Sequence, residues 1–129
     1  MAKVQLEPSF HLNIDEPQGL LVATFIGFWT LETVMEFETA RRTAVARLTR
    51  SLRAGQTAHY LVDRSRQPAQ SQEVVAALSA IFSQSGFPGR KAVIISDALL
   101  RSQAERVNEG AETRFFGDRM AAPAWFRSG

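Results

Sequence analysis

From Ser9 to Asp15, Phe10, Leu12 and Ile14 alternate with Ser9, His11 and Asn13, the period of two that marks a strand with one face toward water. Asp15-Glu16-Pro17-Gln18-Gly19 follows, with Pro and Gly placed for a type I turn. Leu20 to Trp29 is then apolar on both alternating faces, as a strand covered from both sides is. The two segments predict a hairpin whose second strand is the more central. After Thr30 the period changes, and Val34, Phe37, Ala44, Leu48 and Leu52 recur on one helical stripe. Thr30 can cap this helix, predicted from Leu31 to Leu52, and Gly55 ends it. Its acids, Glu32, Glu36 and Glu38, fall in the first half and Arg41, Arg42, Arg47, Arg50 and Arg53 in the second, the order a helix dipole favours.

The same two periods continue to the C-terminus. Ala58–Asp63 predicts a third strand, and Ser71–Gln84 a helix with Val74, Ala77, Leu78, Ile81 and Phe82 inward. Gly86–Gly89 is a turn and Lys91–Ser96 a buried fourth strand. Ser96 or Asp97 can cap a helix reaching Glu109, with Leu100, Ala104 and Val107 as its apolar stripe, before Gly110 breaks it. Thr113–Phe116 is a short fifth strand, and Asp118–Phe126 a last helix with Pro123 in an early turn. Repeated strand-helix-strand units imply parallel pairing through right-handed crossovers. The expected fold class is therefore α/β: a mostly parallel five-stranded sheet with an antiparallel N-terminal hairpin edge and about four helices. One domain spanning 1–129 is expected, with residues 1–8 as a loose N-terminal segment.

Composition narrows the function classes. At 129 residues the chain can bury roughly two thirds of the surface its unfolded form exposes, and no apolar run approaches the ~20 residues of a membrane span. Basic groups exceed acidic ones by only two, and 13 of the 15 are Arg, which explains a pI near 9.7. They gather into no patch or recognisable nucleic-acid module, so no nucleic-acid partner is expected. The absence of Cys removes disulfides, thiolate metal sites and thiol nucleophiles. The start, Met-Ala-Lys-Val-Gln-Leu-Glu-Pro, has no apolar core of a secretory signal, and a cytoplasmic location is expected.

The element order, with Tyr60-Leu61-Val62-Asp63-Arg64-Ser65 at the end of one strand, Lys91–Ser96 as a central strand and Arg114–Phe126 at the end, resembles the STAS domain of bacterial anti-sigma-factor antagonists. The likeness runs from about Phe10 to Phe126. It implies a STAS-like regulatory module that works by protein-protein interaction. Phosphorylated antagonists of that family carry an Asp-Ser-Ser/Thr-Gly motif at the start of the second helix. Here Gln70 precedes Ser71, Gln72 follows, and no Gly is present, so that phosphoacceptor motif is missing and Ser71 is expected to act as an N-cap.

The remaining chemistry points to binding, and no enzyme is expected. Ser65 has no base arranged to take its proton, His11 and His59 lack the spacing of a metal site, and no cofactor is implied. The segment Asp63–Ser71 lies at the carboxyl end of a strand, where open α/β sheets place ligands. Asp63, Arg64, Ser65, Arg66 and Ser71 are accordingly the candidate ligand or anion site, with Asp63 expected to pair with an Arg or with backbone donors. Arg41 interrupts the apolar stripe of the first helix and either pairs with Glu38 or faces a pocket. Phe28, Trp29, Trp125 and Phe126 are candidates for an apolar pocket or a homodimer contact, Trp being rarely fully buried and favoured at interfaces. The aromatic surplus, nine Phe and two Trp, supports the alternative of a carrier or sensor of an apolar small molecule or lipid.

Overall fold

The computed structural model describes residues 7–84, 89–95 and 113–127. Its strands are β1 (Ser9–Asp15), β2 (Leu20–Ile26), β3 (His59–Arg66), β4 (Arg90–Ile94) and β5 (Thr113–Phe116). They lie side by side in sequence order, β1 antiparallel to β2 and the other neighbours parallel. Helix α1 (Leu31–Ser51) crosses from β2 to β3, α2 (Gln72–Gln84) from β3 to β4, and a 3-10 turn (Arg119–Ala121) leads into α3 (Ala122–Arg127). This is the expected mixed α/β sheet, with three α-helices among the described residues. The helix expected from Asp97 to Glu109 lies outside them, as do residues 1–6 of the expected loose segment.

Local chemistry sets the boundaries. Gly19 takes a φ of 63° in the hairpin turn and donates to the Glu16 carbonyl at 3.1 Å. A side chain there would also crowd the Thr57 carbonyl, 3.1 Å from a Cβ. Thr30 caps α1 by accepting from the Thr33 N–H at 3.2 Å. Three expectations shift. The second strand stops at Ile26 because Gly27, at φ 80°, turns the chain out of the sheet. The third strand runs past Asp63 to Arg66, since a register shift lets Ile26 pair with Arg66. The last helix begins as the 3-10 turn, with the Asp118 carboxylate accepting from the Met120 N–H at 2.8 Å.

Side-chain parity gives the sheet two faces. The inner face carries Leu21, Ala23 and Phe25 of β2, Tyr60 and Val62 of β3, and Val93 of β4, which pack with Val34, Phe37, Ala44 and Leu48 of α1 and Val74 and Leu78 of α2. Phe10, Phe25, Trp29 and Phe37 form a ring cluster here, the closest pair, Phe25 and Trp29, with centroids 4.4 Å apart. Trp29 is 1% exposed, and its indole N–H points at the Ser9 and Ile26 carbonyls, 3.2 and 3.0 Å away. That corrects its assignment to a pocket or dimer surface: the turn at Gly27 swings Trp29 into the core and leaves Phe28 outside. The outer face buries Leu61, Ala92 and Ile94 beneath Ala122 of α3, with Leu20, Val22, Phe116, Trp125 and Phe126 partly buried around them.

Candidate functional site

Among the described residues, helix α3 covers the outer face over β3 to β5 and leaves β2 open beside it. Between them runs a groove of about 540 Å³, within the size range of small-molecule sites. Its floor and walls are Leu20 and Val22 of β2, Leu61 of β3, and Ala122, Pro123 and Phe126 of α3. Among the described lining residues the polar ones are Gln18, His59, Arg119 and Arg127. The register explains this placement. Leu20, Val22, His59 and Leu61 share one parity, and Leu20 lies opposite His59.

Helix α3 is held down at its C-terminal end. The Phe126 ring stacks on His59 with centroids 4.7 Å apart and planes 21° from parallel. Arg90 donates to the Trp125 carbonyl at 2.5 Å, and the Trp125 ring is flanked by the guanidiniums of Arg90 and Arg114, 5.2 and 5.4 Å from its centroid. Burial, then the nearby Arg90 charge, hold His59 below the usual histidine range, so its imidazole is neutral at neutral pH. Its Nδ1 is buried without a hydrogen-bond partner among the described residues.

The residues singled out between Asp63 and Ser71 do not converge. Asp63 is turned to the outer face, where its carboxylate accepts from the Ser65 N–H at 2.9 Å and the Ser65 hydroxyl at 2.6 Å, with Arg119 at 3.7 Å. Arg64, on the opposite parity, donates to Gln67 Oε1 at 2.7 Å. Burial lowers its guanidinium to about 10, still charged at neutral pH. Arg66 is exposed. Ser71 caps α2, its hydroxyl accepting from the Val74 N–H at 3.2 Å. Gln70, which the sequence did not single out, ties the segment to the β2–α1 turn by accepting from the Trp29 N–H at 2.7 Å and donating to the Gly27 carbonyl at 3.2 Å. His59 and Arg119 were also missed as groove residues. Parity along β3 was the available signal for His59, whereas nothing local marks Arg119.

A second polar cluster lies inside, between α1 and the sheet. Arg41 is 6% exposed and donates through Nε and one terminal nitrogen to the two Glu38 oxygens, both at 2.9 Å. Arg42 adds a 2.7 Å bond to the same carboxylate. Burial acts to raise the Glu38 carboxyl, but hydrogen bonds from the two guanidiniums outweigh it and keep Glu38 below its ordinary value. Lys91 is 5% exposed, with its ammonium 4.5 Å from the Phe82 ring centroid. Burial first and Arg41 second bring it down to about 8. Burial pushes the Tyr60 phenol, beside Lys91 in register, well above its usual range. Among the described residues no three His, Cys, Asp or Glu side chains come together as a metal site, and no helix is long and apolar enough to cross a membrane.

No protein-family model matches the chain, and no curated protein does. The fold does have a solved counterpart. An uncharacterised protein of the DUF3478 family from Shewanella loihica PV-4, described as having a SpoIIAA-like fold, superposes with a TM-score of 0.70 at 19% sequence identity over 97% of this chain and 99% of its own. The chain therefore has a SpoIIAA-like, STAS-like α/β fold.

Proposed function

We propose that this protein is a non-catalytic STAS-like binding module that carries or senses an apolar small molecule in the outer-face groove. The observation behind this reading is the open groove itself, floored by Leu20, Val22 and Leu61 and walled by Ala122, Pro123 and Phe126. Apolar surface left beside a packed helix is a standing cost in water unless something covers it. Among the described residues the lining offers no nucleophile-base pair, and the Ser65 hydroxyl, which donates to the Asp63 carboxylate at 2.6 Å, lies at the far end of β3. Native mass spectrometry of freshly purified protein tests the reading. A co-purifying apolar species is expected on the wild type and should be absent from Val22→Trp, which fills the groove from the floor. A bare wild type that also fails to take up added apolar ligands would reject it.

A second reading, protein-protein interaction, has its own observation. Phe28, Leu31, Met35 and Val75 are 49%, 40%, 68% and 38% exposed, with Leu31 and Met35 one turn apart on α1 and Phe28 just ahead of them. Exposed apolar groups in one neighbourhood are a common mark of an interface. A second copy of the chain is one such partner, so sedimentation of wild type and of Phe28→Ser/Met35→Ser is the test. A self-association lost in the double variant supports this surface, and a monomeric wild type removes the homodimer.

A further inference from the structure

The charges around the groove are one-sided. Among the described residues that line it two are Arg and none is acidic, although the chain's bases and acids are nearly balanced at 15 and 13. The two Arg differ. Arg119, at the end near the tip of β3, has the Asp63 carboxylate 3.7 Å away, which already answers part of its charge. Arg127, next to the Phe126 ring stacked on His59, forms no ion pair among the described residues. Gln18 lies at this same end, because the adjoining Gly19 carbonyl accepts from the His59 N–H at 2.9 Å. His59 contributes the buried Nδ1 that has no partner. Buried polar groups are nearly always hydrogen-bonded; Nδ1 is sealed from solvent as the ring lies, so a ligand would meet it only through a turn of the imidazole, which in its neutral form can donate or accept.

We propose that the occupant of the groove is an apolar acid, its carboxylate held at the Gln18–His59–Arg127 end and its hydrocarbon body laid over Val22, Leu61 and Ala122 toward Arg119. This rests on reading the groove as a ligand site and adds the charge and direction of the ligand. An alkyl cation would meet two guanidiniums, and a neutral alcohol would gain nothing from the charge of Arg127, which stands exposed at the groove's rim. A carboxylate gains a charge-assisted hydrogen bond, roughly twice as strong as a neutral one. An acid stands near each end, Asp63 beside Arg119 at 3.7 Å and Asp15 accepting from the Gln18 N–H at 3.3 Å, but only Asp63 is within ion-pair distance of its groove Arg, which makes Arg127 the less answered of the two guanidiniums.

The test is calorimetry of decanoate, decanol and decylammonium, each below its aggregation threshold, with amide shifts mapping where each binds. Decanoate should bind about fivefold more tightly than decanol, the upper end of what a solvent-exposed ion pair contributes, and decylammonium most weakly. Arg127→Gln should erase the preference for decanoate while leaving decanol binding unchanged, and Arg119→Gln should leave most of it. Decanol binding as tightly as decanoate, with shifts at Leu61 and Ala122 for both, overturns the acid while keeping the groove. Loss of the preference in Arg119→Gln and not in Arg127→Gln reverses the direction and overturns the proposal. No binding by any probe sinks the groove reading itself.

Discussion

Where α1 and α2 lie over the sheet, Phe25, Trp29 and Phe37 retain at most 1% of their exposure. Where α3 lies over the same strands from the other side, Leu20, Val22 and Phe126 remain only partly buried. The inner face is closed by helices of 21 and 13 residues, and the outer face, among the described residues, by one of six and its 3-10 turn. Burial of large apolar side chains is the main source of stability, so the closed face should hold the fold together. The half-finished face is then free to bind. The contrast can be tested from the inside outward.

The largest effect should come from the inner ring cluster. Trp29→Ala removes ring contacts with Phe10, Phe25 and Phe37 and two indole hydrogen bonds, and should cost about 3–5 kcal/mol in denaturant unfolding. Phe126→Ala, on the half-buried outer face, should cost about 1 kcal/mol. Equal losses in the two variants would mean that the faces do not divide the work in this way.

Next comes the ion pair beneath α1. Glu38→Ala leaves the Arg41 guanidinium buried and unanswered and should cost roughly 2 kcal/mol, less than the ~3–5 kcal/mol of a fully enclosed pair because Glu38 keeps some solvent contact. Replacing both partners, as in Glu38→Gln/Arg41→Met, should recover most of that loss. The sign with pH follows from a carboxyl held below its ordinary value. Its stabilisation is present above the unfolded value and lost as pH falls through the folded one. Acid unfolding of Glu38→Gln/Arg41→Met should therefore begin at lower pH than that of the wild type.

Lys91 gives a smaller effect of opposite character. Its folded value is about 8 against about 10.4 when unfolded, so between these values the unfolded chain binds more protons and stability rises with pH. The gain should approach about 2 kcal/mol by pH ~10, where ionisation of Tyr60 in the unfolded chain begins to oppose it. Lys91→Met should abolish the rise and be more stable than wild type at neutral pH. A wild-type profile flat from pH ~8 to ~10 would show that the ammonium reaches water.

These residues also show what was legible in the chain. The alternation in Phe10, Leu12 and Ile14, the stripe from Val34 to Leu48 and the caps at Thr30 and Ser71 all depend on neighbours in sequence, and each marks an element seen in the structure. Arg41 was legible too, because its nearest acid sits one turn away at Glu38. The groove was not. It exists because α3, far along the chain, covers β3 to β5 and stops short of β2, and periodicity does not say how much of a face a distant helix will cover. The meeting of Arg119 with Asp63 and of Phe126 with His59 depends on that same docking. Trp29 misled for a local reason: its apolar neighbours continue the strand pattern, while a single positive φ at Gly27 redirects it.

The smallest effect should be confined to the outer face. Burial and Arg90 keep His59 below the ordinary histidine range, so the folded chain binds its proton less readily than the unfolded one, and acidification through about pH 6.5 weakens whatever depends on neutral His59. What depends on it is the seating of α3. Protonation places a cation against the Phe126 ring, close to Arg90, and at the groove end that also carries Arg127; among the described residues, the acids on this face, Asp63 by Arg119 and Asp15, which accepts from the Gln18 N–H at 3.3 Å, make no ion pair with the imidazole. The protection factors of the Phe126 and Arg127 amides, taken relative to the intrinsic exchange rate at each pH, should fall below pH ~6.5 while those of residues 34–48 of α1 hold, since opening of so small an element requires no global unfolding. His59→Phe, which keeps an aromatic partner for Phe126 and removes the charge, should hold the protection factors of α3 constant across that range. If α1 and α3 lose protection together, the two faces unfold as one unit and the contrast between them is thermodynamically void; if α3 loosens equally in His59→Phe, the imidazole is not the group that seats it.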